Sequence, residues 1–256
     1  MTVPRSELAG WRFDPDAYPG RRPDGPVLVT DDAERPVSIG ADRLPEELRW
    51  SVAYGANADP DRLRDKGLAA EGALLLPAVL TGWRPAFEAR RTRYGSVPLT
   101  LVPAPGVRTP TWVLGIRAAL TGRLDRTEGR AGGPADRAPT AGDESVGATG
   151  RPPGGTDPPP GGTDPPPGTY RLGVVGDVEV AGSWWLRPGL AYLPGPAARV
   201  QVVDDDWRCW PAYDQAAAHA HLERSGPSRP APQAGATVVG AWPATRLVRR
   251  TGEQAI

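Results

Sequence analysis

The sequence predicts an α+β fold, and three observations lead there. Short apolar runs bounded by Gly or Pro recur from residue 50 to residue 193 and read as strands. Helix signals are few and brief: a cap at Asp59-Pro60, a start at Thr121 and an Ala-rich stretch at 211–224. The 32 Gly and 32 Pro make up a quarter of the 256 residues, so the folded part is expected to be shorter than the chain.

The elements follow in order. Residues 1–47 are rich in Pro, Gly, Asp and Arg and read as a partly ordered N-terminal arm with one short strand at 26–30. Regular structure begins near Arg49, with a strand over 50–54 that Gly55-Ala56-Asn57 interrupts. Asp59 then caps a short helix with Pro60 at its first position, running to about Lys66 and ending at Gly67. Candidate strands follow at 78–80, 85–89, 98–102 and 111–116, and Thr121 is placed as the cap of a brief helix over 123–127.

Residues 130–168 differ in kind. Gly154-Gly155-Thr156-Asp157-Pro158-Pro159-Pro160 is repeated directly at 161–167, and such segments cannot bury apolar surface. The stretch reads as an insertion within one domain, because the strands after it are too few to stand alone. Those strands are expected at 170–180, 184–186 and 190–193, followed by the helix over 211–224. The predicted layout is a domain over 48–225, interrupted at 130–168, with a Pro-rich C-terminal arm at 226–256 that carries one apolar patch at 237–239.

Composition narrows the function. The 30 basic and 30 acidic residues cancel, so no global field favours nucleic acid or an anionic membrane. Cys209 is the only cysteine, so a disulfide framework is impossible and a reducing compartment fits. No apolar h-region occurs in the first 25 residues, and the longest apolar-rich run, 72–80, is short and contains Pro77. The expectation is a soluble cytoplasmic protein with no nucleic-acid and no membrane partner; nothing here sets an oligomeric state.

The order strand, Tyr54-Gly55-Ala56-Asn57, capped helix leaves several backbone N–H groups near one spot, where a carboxylate fits. Any strand–turn–helix junction can do this. The ordered set of motifs says more. Val52-Ala53-Tyr54-Gly55-Ala56-Asn57 resembles the Tyr-Gly-Ser-Asn signature of the gamma-glutamylcyclotransferase-like family. Ala78-Val79-Leu80-Thr81-Gly82-Trp83, the run from Leu99 to Gly106, and Trp112-Val113-Leu114-Gly115-Ile116 resemble its next strands. Leu124-Asp125-Arg126-Thr127-Glu128-Gly129 is similar to its Leu-Asp-x-x-Glu-Gly, and Tyr170 and Leu190-Ala191-Tyr192-Leu193 resemble its later strands. The resemblance covers roughly 49–129 and, more loosely, 169–221.

It implies a small mixed β-barrel with flanking helices, and a cyclisation. The α-amine of a γ-glutamyl compound attacks its own γ-carbonyl, releasing 5-oxoproline and a free amine. One carboxylate can take the proton from the amine and return it to the leaving nitrogen. By the resemblance that carboxylate is Glu128. Ala53, Tyr54, Gly55 and Ala56 form the substrate loop, Tyr192 contacts substrate, and Asn57 fixes the turn through backbone hydrogen bonds. The expected partner is a small-molecule γ-glutamyl substrate, and the reaction needs no metal and no organic cofactor. Two departures stand out: Ala56 replaces the usual Ser, and the insertion begins directly after Gly129. They motivate the alternative, a catalytically silent binding module of the same fold whose Pro-rich segments dock partners.

Other features read blandly. His219 and His221 lie about 200° apart on a helix and are expected to be exposed. Asp204-Asp205-Asp206 lacks a calcium-loop spacing and reads as a solvated turn. Cys209, between Trp207 and Trp210, reads as a buried thiol, and Trp184, Trp185, Trp207 and Trp210 as core or cover.

Overall fold

A computed structural model describes residues 12, 14–40, 47–92, 94–130, 169–233 and 236–250. The repeated Gly-Gly-Thr-Asp-Pro-Pro-Pro segment, and with it nearly all of the predicted insertion, lies outside the described residues.

The chain is a mixed α+β protein built on one closed barrel. Its elements are β1 (Val27–Val29), β2 (Glu34–Pro36), β3 (Leu48–Ala53), α1 (Pro60–Asp65), β4 (Ala73–Phe87), β5 (Leu99–Arg117), α2 (Thr121–Thr127), β6 (Tyr170–Val180), β7 (Trp184–Pro194), β8 (Arg199–Val203), β9 (Asp206–Trp207), α3 (Gln215–Glu223), β10 (Ser228–Pro230), β11 (Thr237–Val238) and β12 (Arg246–Arg249). Going round the barrel, β3 pairs β5, β5 pairs β4, β4 pairs β6 and β6 pairs β7, all antiparallel. The seam is the parallel pair β3–β7, in register at Val52 and Ala191, which closes five strands into a ring. Closure removes the unpaired edges of the central strands.

The two long strands merge what the sequence separates. The predicted strands at 78–80 and 85–89 are one strand of 15 residues, and those at 98–102 and 111–116 are one of 19. Gly and Pro read as breaks, but here they are absorbed by irregular pairing. Pro77 falls between the β1 ladder at 73–75 and the β6 ladder at 78–80, so its missing N–H interrupts neither outer pairing. Gly82 sits at a register shift, where the partner of Thr81 is Arg108 and that of Trp83 is Pro103. Likewise 184–186 and 190–193 are parts of one strand, β7.

Both flanking arms join the sheet. In the N-terminal arm β1 pairs β4 and β2 pairs β1. In the C-terminal arm β11 pairs β6 and β12 pairs β7. β2, β10 and β12 lack the apolar runs that identify strands, and they form because an adjacent strand offers its edge.

Alternation along β3 to β7 feeds two apolar clusters. Trp50, Val52, Leu74, Leu76, Leu80, Leu101 and Val113 belong to one. Leu75, Leu114, Ile116, Leu172 and Leu190 belong to the other, which also takes Leu63 of α1 and Leu124 of α2. Burial on both faces explains the unbroken Leu74-Leu75-Leu76 run. Leu114 is fully buried in the cluster that also takes Leu63 and Leu124 from the two helices. Leu114→Ala is expected to lower unfolding free energy by about 2–5 kcal/mol, read from urea denaturation.

Local helix signals hold with two changes. Asp59 caps α1, its Oδ1 accepting from the amides of Asp61 (2.8 Å) and Arg62 (3.1 Å), and Pro60 opens the helix. Thr121 is not the cap of α2. It lies within the first turn and its hydroxyl donates to the Ala118 carbonyl at 2.8 Å. The second change is in α3, where His221 is buried and not exposed. Its Nε2 donates to the Pro227 carbonyl (2.8 Å), and Nδ1 lies 3.4 Å from an Arg208 guanidinium nitrogen. Asp204 and Asp205, at positive φ, turn the chain between β8 and β9 in solvent. Cys209 is buried, and burial pushes its thiol up to about 11. Among the described residues, no helix is long and apolar enough to cross a membrane.

Candidate active site

The site is assembled where β3 ends. Strand β3 leads into Tyr54 and Gly55, then a short 3-10 turn over Ala56–Ala58, then the Asp59 cap and α1. Because Asp59 consumes the first amides of α1, the helix terminus offers no free donors. The amides of Gly55 and Ala56 do: neither donates to any other described residue. The N-terminal arm braces this turn from behind. Arg22 donates to the Gly55 carbonyl at 3.1 Å and the Tyr54 carbonyl at 3.5 Å, and burial brings its guanidinium down to about 10.

Gly55 is required by close approach. A Cβ there would stand 2.9 Å from the Tyr18 hydroxyl oxygen, and that hydroxyl accepts from the Leu99 amide at 3.0 Å. Gly55→Ala is therefore expected to displace Tyr18 and weaken ligand binding at the turn by about tenfold or more, with a stability loss of about 1–3 kcal/mol. Calorimetry and thermal melting of the variant read both.

Glu128 arrives from the end of α2. The Arg130 amide bonds the Asp125 carbonyl at 3.0 Å and the Gly129 amide bonds the Arg126 carbonyl at 2.9 Å, with Gly129 at φ +61°. This is a Schellman termination, which requires a residue such as Gly at that left-handed position and fixes Glu128 as the last helical cap. The Glu128-Gly129 pair in the sequence is thus first of all a helix stop.

Glu128 meets the turn directly. Its Oε1 accepts from Asn57 Nδ2 at 3.1 Å and from Lys66 Nζ at 2.5 Å, and Lys66 also donates to Asn57 Oδ1 at 2.6 Å. Both bonds fall on Oε1. Oε2 accepts from no described residue. The role expected for Asn57 is corrected here. Its side chain holds the carboxylate and the lysine, whereas the turn is held by Arg22. Lys66 was not among the expected site residues. It is the only lysine among the 30 basic residues of the chain, and that singularity was the available signal. A lone ammonium among guanidiniums supplies a compact point charge that Arg cannot mimic.

These groups line one cavity of ≈ 310 Å³. Its wall includes Ala53, Tyr54, Gly55, Ala56, Asn57, Glu128 and Tyr192, so the cavity gathers every residue assigned to the site from the sequence. Two of them present less than expected. The Tyr54 hydroxyl donates to the Tyr192 carbonyl at 2.6 Å, and the Tyr192 hydroxyl donates to Asp125 Oδ1 at 2.8 Å. Burial holds both phenols well above their ordinary range, so they stay protonated and engaged. Both residues line the cavity with their hydroxyls already committed to protein partners.

The lining also holds residues that the sequence did not signal, Tyr18, Arg62, Arg90 and Tyr94, and Tyr170, which the sequence marked only as part of a strand. Arg62 stacks on the Tyr94 ring at 4.8 Å from its centroid. Arg90 Nε donates to Glu88 Oε2 at 2.5 Å. Glu88 is fully buried, and burial raises its carboxyl above the usual range, with Arg90 opposing.

A closed five-stranded barrel with a carboxylate–ammonium–amide triad in the wall of one cavity is the class that fold and site define. No protein family, no curated protein and no solved structure matches the chain.

Proposed function

We propose that the protein cyclises a γ-glutamyl compound to 5-oxoproline and releases the amine, as the resemblance to gamma-glutamylcyclotransferase-like proteins implies. The observation that carries this reading is the state of Glu128: one oxygen fixed by Asn57 and Lys66, the other accepting from no described residue, in a cavity also lined by Gly55 and Ala56, whose amides donate to no described residue.

The chemistry follows from that layout. The substrate α-ammonium gives a proton to Glu128 Oε2. The freed amine attacks the γ-carbonyl carbon, forming the lactam C–N bond while the carbonyl oxygen takes the electron pair. The amides of Gly55 and Ala56, which donate to no described residue, would hold this oxyanion or the α-carboxylate. Collapse breaks the old C–N bond as the proton on Glu128 passes to the departing nitrogen, and the second proton of the attacking nitrogen leaves through the regenerated Glu128 carboxylate to the released amine, which departs as an ammonium. Attack within one molecule is accelerated when the substrate is held folded, and a cavity of ≈ 310 Å³ has room for a folded γ-glutamyl group. Ala56 in place of Ser is no obstacle where the contribution is a backbone N–H.

A second reading is a binding module without turnover. It is favoured by the Lys66–Glu128 contact, since the ammonium competes with the substrate's own for the same carboxylate. The Pro-rich segment at 154–167, which would dock partners in that reading, lies outside the described residues.

The test is release of 5-oxoproline from a panel of γ-glutamyl amino acids and amines. Formation of product by the native chain and its loss in Glu128→Gln supports cyclisation. Binding without product across the panel supports the second reading.

A further inference from the structure

We propose that the cavity has a second anion site, centred on Arg90 and set by Glu88, that receives a carboxylate on the leaving-amine side of the substrate. This deepens the cyclisation reading and rests on it for the direction in which the ligand lies.

The argument begins with Glu88. It is the most enclosed carboxylate of the region, 1% exposed, and its Oε1 accepts from no described residue. An acid that deep is costly unless its partner is well placed. It has one ionic partner, Arg90, through Nε only. Arg90 Nη2 reaches the Tyr170 hydroxyl at 3.4 Å, a long contact, while that hydroxyl donates to the Leu99 carbonyl at 3.2 Å. Nη1 donates to no described residue. The Arg90 side chain is 34% exposed and lines the cavity.

The pair is therefore asymmetric. Glu88 grips the inner edge of the guanidinium, and the outer fork is left at the cavity wall with donors to spare. A planar fork held in one orientation matches a carboxylate with two parallel hydrogen bonds. The surroundings agree in sign. Arg62, Lys66 and Arg91 also line the cavity, and Glu128 is the only acid among its lining residues. Glu128 and the free amides occupy the 54–57 side, where the glutamyl group reacts. Arg90 comes from a different segment, just beyond β4, and on the cyclisation reading the glutamyl group occupies the 54–57 side, which leaves the carboxylate of the leaving amine as the anion for Arg90.

The experiment uses two ligands that differ only in that group: γ-glutamylalanine and γ-glutamylethylamine. Turnover is measured as 5-oxoproline release, and binding by calorimetry in the Glu128→Gln chain. The native site is expected to favour γ-glutamylalanine by about 10- to 100-fold in both kcat/KM and Kd, the range of a hydrogen-bonded charge. In Glu88→Gln/Arg90→Gln, which removes both charges and leaves no orphan acid, that ratio is expected to collapse to about threefold or less. Arg90→Lys keeps a cation on Glu88 but loses the fork. It carries the test if the double variant does not fold, and its ratio is expected to fall by about tenfold. A ratio unchanged in these variants, or a native site that binds both ligands equally, overturns the second anion site. Absence of 5-oxoproline from both ligands in the native chain removes the cyclisation reading instead, and the Kd ratio still decides the anion site.

Discussion

Glu128→Gln is expected to reduce 5-oxoproline release by about 10²–10⁴-fold, with kcat falling far more than KM rises. The amide keeps the size of the side chain and can still accept from Asn57 and Lys66 through its one carbonyl oxygen. It cannot take up a proton from the substrate ammonium, nor return one to the leaving nitrogen. The Schellman termination keeps the end of α2 in place, but the variant also removes the charge that the nearly buried Lys66 meets, so it is expected to fold with a melting temperature lowered by some degrees, and its activity is compared below that temperature. A folded Gln variant with full activity would remove the carboxylate from the chemistry, and the barrel would then act through its amides alone.

The largest stability effect is expected at Asp125. This carboxylate is 2% exposed and collects three donors: Arg130 Nη1 at 2.8 Å, the Tyr192 hydroxyl at 2.8 Å and Trp242 Nε1 at 3.2 Å. Arg130 in turn donates to the Val239 and Gly240 carbonyls, so the cluster ties α2, β7 and the C-terminal arm together. Asp125→Ala leaves a buried guanidinium with its charge uncompensated and two further donors unpaired. The loss is expected to be about 3–5 kcal/mol, seen as a lowered urea midpoint and a melting temperature reduced by about 10 °C. The double variant Asp125→Leu/Arg130→Met should recover much of that stability, since it removes both charges. A single-variant loss below about 1 kcal/mol would mean that solvent reaches Arg130 and the clasp contributes little.

These residues show what a sequence reveals and what it conceals. The Asp59-Pro60 cap was legible because capping depends on residues two or three apart. The same holds for Gly67 as a helix stop, whereas Gly129 was read only as part of a motif and its role in ending α2 emerged from the structure. Tyr54 to Asn57 and Glu128 were legible as a pair only through the resemblance, and the structure brings them into contact. Arg90, Glu88, Tyr18 and Arg22 carry no local signature. Their positions matter because β4, β5 and the N-terminal arm converge on the cavity, and convergence is a long-range property. The long strands were misjudged for a related reason. Gly82 and Pro77 look like terminators within a single chain segment, but pairing partners on either side tolerate them. β2, β10 and β12 are strands by adjacency alone, so their composition has nothing to report. Lys66 is the case where the signal existed and was local: one lysine in a chain of arginines.

The seam of the barrel has a consequence for how this protein is made. β3 and β4 complete their pairing only with β7 and β6, and residues 131–168 must be synthesised before either arrives. As the nascent chain leaves the ribosome, the first half presents open strand edges and an apolar face to its neighbours. Such intermediates invite aggregation and holdase chaperones until the last strands thread home. Expression as two separate halves should accordingly yield an insoluble N-terminal piece, and slower elongation through the Pro-rich stretch would lengthen the exposed interval.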